Sequence, residues 1–174
     1  RTIEMTSGAV LELNSFSVSF CQRIAKGKPE LDCVGLASSE KQRALLEQAK
    51  GTSLNVTFRS DPPTQLCYPS NTFQVAFSIF ANRLSPLEPI LDEAHRVMTP
   101  EGKLLLYVLR SDVRMDQDWM AGGPIVRRII KHRLKTDAQN EAEVSVFLKN
   151  LKSSPFGGGQ TMEHGPFLRI ELTK

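Results

Sequence analysis

The sequence predicts an α/β domain built on a mostly parallel sheet with helices on both faces. Three observations lead there. Strand-like runs take turns with helix-length segments through the first two thirds of the chain, as successive β-α-β crossovers require. The run KLLLYVL, residues 103–109, is apolar without interruption, as expected of a strand covered on both sides. A late alternating run, Leu168, Ile170 and Leu172, follows a glycine-rich break and reads as an antiparallel edge.

Taken in order, residues 9–13 (AVLEL) form the first strand and residues 15–26 a helix. A second strand spans 31–37, with Cys33, Val34 and Leu36 as its apolar content. Ser39 caps a helix over 40–50; Gln42 stands three residues on, as in a capping box, and Gly51 ends the helix. Leu54, Val56 and Phe58 alternate in a third strand over 54–58. SDPPTQLCYPSN, residues 60–71, is loop, because its prolines remove amide donors and fix the backbone, so this crossover is shortened or irregular. Phe73, Val75, Phe77 and Ile79 mark a fourth strand over 73–80.

Leu84, Leu87, Leu91, Ala94 and Met98 recur at helical spacing, giving an amphipathic helix over 86–98 with Pro86 in its first turn. TPEG, residues 99–102, turns the chain into the strand at 103–109. Ile125, Val126, Ile129, Ile130 and Leu134 mark a further helix, and Val144, Phe147, Leu148 and Leu151 another. SSPFGGGQ, residues 153–160, is expected to be a flexible break.

A single domain spanning residues 1–174 is expected. The chain has 174 residues, 40% of them hydrophobic, enough for one sizeable core. It has no internal repeat, and too little chain follows the glycine run to fold alone. The formal charge of +3 is too mild to argue for a nucleic-acid partner. Cys21, Cys33 and Cys67 are scattered and odd in number, so they read as reduced, core or half-buried thiols, which favours an intracellular reducing compartment. No stretch reaches the ~18 consecutive apolar residues of a membrane span. His95, His132 and His164 lack metal-ligand spacing and no Ser-His-acid set stands out, so no catalytic or metal residue is assigned.

The strongest charge feature is RRIIKHRLK, residues 127–135. Ile129, Ile130 and Leu134 give it a buried side, leaving Arg127, Arg128, Lys131 and Lys135 as a basic outer stripe. A solvated face is the first reading of that stripe, and a contact with RNA or an acidic partner the second. Trp119 and Met120 just before it read either as an exposed anchor or as an inward cap.

The segments AVLELNSFSVSF, LDCVGLASS, VTFRSD, NTFQVAFSIF and LDEAHRVMTPEGKLLLYV, in that order, resemble a class I S-adenosylmethionine-dependent methyltransferase over residues 9–109. The likeness extends more weakly to residue 174 through HGPFLRIELTK. Its most specific piece, LDEAHRVMTPEGKLLLY, is similar to the family's R-V-L-x-P-G-G turn, with Glu101 in place of the first glycine.

The resemblance implies a Rossmann-like fold: a mostly parallel seven-stranded sheet with an antiparallel last strand and helices on both faces. It also places the cofactor residues. Glu12 matches the acid ending the first strand. The three glycines of the first turn fall at Asn14, Phe16 and Val18. The acid that grips the ribose falls at Ala37, and the Asp near the adenine amine at Asp61. The fourth-strand Asp falls at Gln74, and the glycine ending the later turn is Gly102. Cofactor contact by Glu12, Asn14, Ala37 and Asp61 is expected only if the ancestral site still binds.

Physically, the substitutions work against the ligand. Glycines in such a turn reach angles that a Cβ forbids, or let a ligand approach the backbone. Asn14 tolerates the left-handed region, whereas Val18 is bulky and Phe16 projects a ring towards the ligand's place. Ala37 offers the ribose no acceptor. Phe16, Val18 and Phe20 are expected to fill the space themselves. Glu12, in an apolar strand, needs a backbone amide or a Lys or Arg as partner. Asp61, before Pro62 and Pro63, reads first as a turn residue, and Asn82 and Arg83 as a helix-start loop.

The expectation is therefore a catalytically inactive methyltransferase-like domain without cofactor, acting as a scaffold for a protein partner. The alternative is a divergent S-adenosylmethionine-dependent methyltransferase acting on RNA, protein or a small molecule. A nicotinamide-dependent module is disfavoured because the GxGxxG fingerprint is absent too.

Overall fold

The computed structural model describes residues 8–110, 132, 141–164 and 167–174, with side chains left aside at 158 and 164. The strands are β1 (Gly8–Glu12), β2 (Leu31–Leu36), β3 (Val56–Arg59), β4 (Phe73–Ser78), β5 (Met98–Leu109), β6 (Gly157–His164) and β7 (Phe167–Thr173). The helices are α1 (Ser19–Gly27), α2 (Glu40–Ala49), α3 (Leu87–Val97) and α4 (Glu141–Leu151), with a 3-10 turn at Ala81–Arg83. The strands make one sheet in the order β3-β2-β1-β4-β5-β7-β6. The first five are mutually parallel, and β7 runs antiparallel to both neighbours. This is the expected Rossmann-like methyltransferase fold.

Both faces of the central strands are buried, which is why the strands read as near-continuous apolar runs. On one face α1 and α2 set Cys21, Ala25 and Leu46 against Val10, Cys33, Val56, Phe58, Val75 and Phe77. On the other, α3 and α4 set Ile90, Leu91, Ala94, Val144, Phe147 and Leu151 against Leu11, Leu36, Ala76, Leu104, Leu106 and Ile170. The connection from β3 to β4 holds no helix, as its prolines foretold. Leu66 and Tyr68 pack on the core in its place. Leu66 is pinned to α3: its amide donates to Glu93 Oε1 at 2.6 Å and its carbonyl accepts from Arg96 Nη2 at 3.2 Å.

Several boundaries differ from expectation. The first helix begins at Ser19 rather than residue 15, because residues 13–18 form a turn whose backbone bonds to the neighbouring strands. The third strand starts at Val56, and Leu54 is 96% exposed. Asn55 fixes that entry, its side-chain amide donating to Leu31 O at 3.0 Å. The fourth strand stops at Ser78, and Pro86 is the N-cap of α3 rather than a member of its first turn.

Ser39 caps α2 as expected, accepting from Gln42 N at 3.2 Å, but the Gln42 side chain turns to Ser38 instead of closing a capping box. The turn at residues 99–102 is an irregularity inside β5, where the register with β4 shifts. Glu101 there has φ 63°, and a Cβ on Gly102 would stand 2.8 Å from Thr99 O. The break at residues 153–160 is half strand: from Gly157 it becomes β6, which makes β6 the sheet edge and places β7 inside it. The helix expected around Ile125 to Leu134 lies outside the described residues.

Candidate functional site

Parallel strands deliver their carboxyl ends to one rim of the sheet, where sites form in such folds. Here that rim gathers the end of β1, the turn after it, the ends of β2 to β4 and the start of β7. Glu12 closes β1 with 0% exposure, opposite Gly35 of β2 and Phe77 of β4. Ser15 Oγ donates to Glu12 Oε2 at 2.5 Å and Cys21 Sγ donates to the same oxygen at 3.2 Å. The expected backbone amide, Lys or Arg is not its partner. Burial pushes the Glu12 carboxyl up from 4.5 to about 7, against the two donors. Burial also raises the Cys21 thiol, and it takes Cys33 up to about 12.

Gly35 makes this arrangement fit. A Cβ there would stand 2.3 Å from Ser15 Oγ and 2.7 Å from the Phe58 ring. Sequence reasoning passed over Gly35 and Ser15, and took Cys21 only as a thiol and Gln42 only as a capping residue. A lone glycine inside the apolar strand LDCVGL was the available signal, since it marks a close approach.

The turn after β1 is tied on both sides. Asn14 Nδ2 donates to Phe80 O at 3.2 Å, and Asn14 Oδ1 accepts from Ser78 Oγ at 2.7 Å. Ser15 N donates to Leu36 O at 2.7 Å, and Ser15 O accepts from Gln42 Nε2 at 3.0 Å. Gln42 Oε1 in turn accepts from Ser38 N at 2.8 Å and Ser38 Oγ at 2.6 Å. No residue of this turn has a positive φ, and Val18 sits in ordinary helical geometry at φ −65° as the N-cap of α1. Val18 therefore carries no backbone strain: the turn runs in a conformation that needs no glycine.

Above the rim, aromatic rings meet. Phe16 lies 5.1 Å from Phe80 and 6.0 Å from Phe20, centroid to centroid; Phe80 lies 5.9 Å and Tyr107 6.3 Å from Phe167. Val18 and Phe20 pack onto the α1 side of the core.

Ala37 is buried, and its amide donates to Arg59 O at 2.7 Å. Asp61, with its side chain 14% exposed, accepts from Arg59 Nη2 at 3.2 Å through Oδ1, while its buried Oδ2 has no partner among the described residues. Gln74 and Gly102 lie at the opposite end of the sheet, away from this rim. Asn82 and Arg83 sit in the 3-10 turn after β4. His95 belongs to the α3 face, edge-on to Phe156 at 5.2 Å, where burial lowers its pKa. His132 is exposed. Arg127, Arg128, Lys131, Lys135, Trp119 and Met120 lie outside the described residues. Cys21 and Cys33 are buried free thiols, and Cys67 is exposed rather than half-buried. Among the described residues no His, Cys, Asp and Glu group can hold a metal, and no helix is long and apolar enough to cross a membrane.

Residues 12–106 match the family described as "Methyltransferase domain", which is more than half of the chain. The chain belongs to this methyltransferase family. Solved structures agree on the methyltransferase fold. A SAM-dependent methyltransferase from Aquifex aeolicus is similar with a TM-score of 0.68 and 18% identity, over 97% of this chain and 84% of that one. A putative S-adenosyl-L-methionine-dependent methyltransferase from Methanococcus maripaludis gives 0.72 and 10%, over 98% and 78%. The cyclase SpnF gives a TM-score of 0.69 and 14% identity, over 100% and 77%. At 10–18% identity these likenesses establish the fold alone. No curated protein matches the chain by sequence.

Proposed function

We propose that this methyltransferase-family domain does not carry out methyl transfer and serves as a scaffold for a protein partner. The observation that carries the reading is the Phe16 ring, held against Phe80 and Phe20 over the carboxyl ends of β1 and β4. The residues present do not fit S-adenosylmethionine. Where the family resemblance calls for small residues, a phenyl ring takes the space. Where it calls for a ribose acceptor, Ala37 has none, and a lost hydrogen bond to a charged group is worth roughly 1.5–3 kcal/mol. Glu12 is sealed beneath Ser15 and Cys21. Asn14 and Gln42 hold the turn closed against β4 and α2. A domain that keeps its core while its site fills with its own side chains is left with its surface to act through.

One observation favours the second reading, a divergent S-adenosylmethionine-dependent methyltransferase. Asp61 Oδ2 is buried without a partner among the described residues, and an orphaned acceptor costs about 1–3 kcal/mol unless a donor arrives. An adenine amine is such a donor. Calorimetry with S-adenosylmethionine separates the two. The scaffold reading expects no heat of binding at micromolar cofactor and an unchanged melting temperature at millimolar cofactor. Micromolar binding that Asp61→Ala abolishes would overturn the scaffold reading and favour the enzyme.

A further inference from the structure

The sheet has two edges, and the protein treats them differently. At β3 the outward backbone groups are capped by α2. Phe58 N donates to Glu47 Oε1 at 2.5 Å, and Lys50 Nζ donates to Val56 O at 2.7 Å. Glu47 and Lys50 are themselves paired at 2.7 Å. An edge blunted in this way cannot template another strand.

The β6 edge carries no such device. It is eight residues long, and no side chain caps its outer backbone among the described residues. Its sequence, GGGQTMEH, contains neither Lys nor Pro, the usual edge protectors. Gly159, Gln160, Thr161, Met162 and Glu163 are all exposed, Met162 at 58%. Pairing with β7 assigns its faces. Gly159, Thr161 and Glu163 stand opposite Leu172, Ile170 and Leu168, on the side of α3 and α4. Gln160 and Met162 stand opposite Glu171 and Arg169, on the other side.

We propose that β6 pairs antiparallel with β6 of a second copy of this chain, about a twofold axis through Thr161. A twofold normal to the sheet keeps each face continuous, so only residues of the same face stand opposite each other. Centred on Thr161, that rule sets threonine against threonine, Gln160 against Met162, and Gly159 against Glu163. The strand is self-complementary in this register. Its glycine half receives the bulky half of the other copy, the central pair is a favourable Thr–Thr contact, and no two like charges meet. That fit, together with the contrast to the capped β3 edge, selects a second copy over an unrelated strand.

The test uses charge exchange at the axis. Sedimentation velocity of the whole chain is expected to show a concentration-dependent dimer. Thr161→Lys places two ammonium groups directly opposite each other and Thr161→Glu two carboxylates. Each alone is expected to weaken the dimer at least tenfold, while an equimolar mixture regains it. Hydrogen exchange of the wild-type chain gives a readout that needs no variant: β6 amides gain protection with rising concentration, and β3 amides do not. A wild-type monomer at every concentration overturns the proposal. So do a Thr161→Lys variant that dimerises like wild type, a mixture that fails to recover, or β6 amides indifferent to concentration.

Discussion

Glu12 shows how far one residue can be reasoned. A carboxyl in an apolar strand has to be paired or neutral, and the structure gives it a hydroxyl and a thiol donor on one oxygen and full burial. Its pKa rises from 4.5 to about 7, so the folded chain holds that proton more tightly than the unfolded one. The contribution to stability is then complete below about pH 4.5 and is lost as pH climbs through about 7. It amounts to about 3 kcal/mol by linkage. Glu12→Gln, which cannot ionise, is expected to remove that slope. The readout is the difference between wild-type and variant denaturation midpoints from pH 5 to 8. Taking the difference matters because His95, with its lowered pKa, tilts the profile the other way in both chains. The need for a partner at Glu12 was legible in the sequence; its identity was not, because Ser15 and Cys21 come into reach only once the turn and α1 are in place.

Among the elements, the β1 turn and β2 behave as one unit. Gly35 leaves the gap that Ser15 Oγ occupies on its way to Glu12, and Phe58 of β3 closes the other side. Gly35→Ala is expected to destabilise the fold by roughly 2 kcal/mol, since the Ser15 hydroxyl and the Phe58 ring must both move to admit one methyl group. Chemical denaturation checks this. The same substitution at Gly27, where a Cβ meets nothing within 4 Å, serves as the control. Helix α2 was readable from Ser39 and Gly51, because capping is a local matter. The Gln42 bridge from Ser38 to Ser15 was not, because it joins the start of α2 to the turn after β1, distant in sequence. The β6 strand escaped for a different reason: a glycine run has no side-chain period, so only its partner β7 reveals it.

At the scale of the whole molecule, the parallel half of the sheet was legible because strand-length apolar runs alternate with helix-length segments, except between β3 and β4, where prolines mark a loop instead. Closure of the rim was only half legible. Phe16 and Phe20 could be assigned to it from the turn alone, whereas Phe80 and Phe167 come from distant chain and meet them only through the topology. The thiols report on the same architecture. Cys67 is exposed, while Cys21 and Cys33 are buried and their pKa values raised. Alkylation followed by mass spectrometry is expected to modify Cys67 at once, and the other two only as fast as the chain unfolds. Rapid labelling of Cys21 in the native chain would contradict the packed rim.

Phe167 opens β7, which comes after the other six strands in chain order, and this has a temporal consequence. The rings of Phe16 and Phe80 are made early, but they gain this neighbour only after β7 has left the ribosome and threaded between β5 and β6. During translation the growing polypeptide therefore carries an unroofed greasy patch, which is where a chaperone would find its grip.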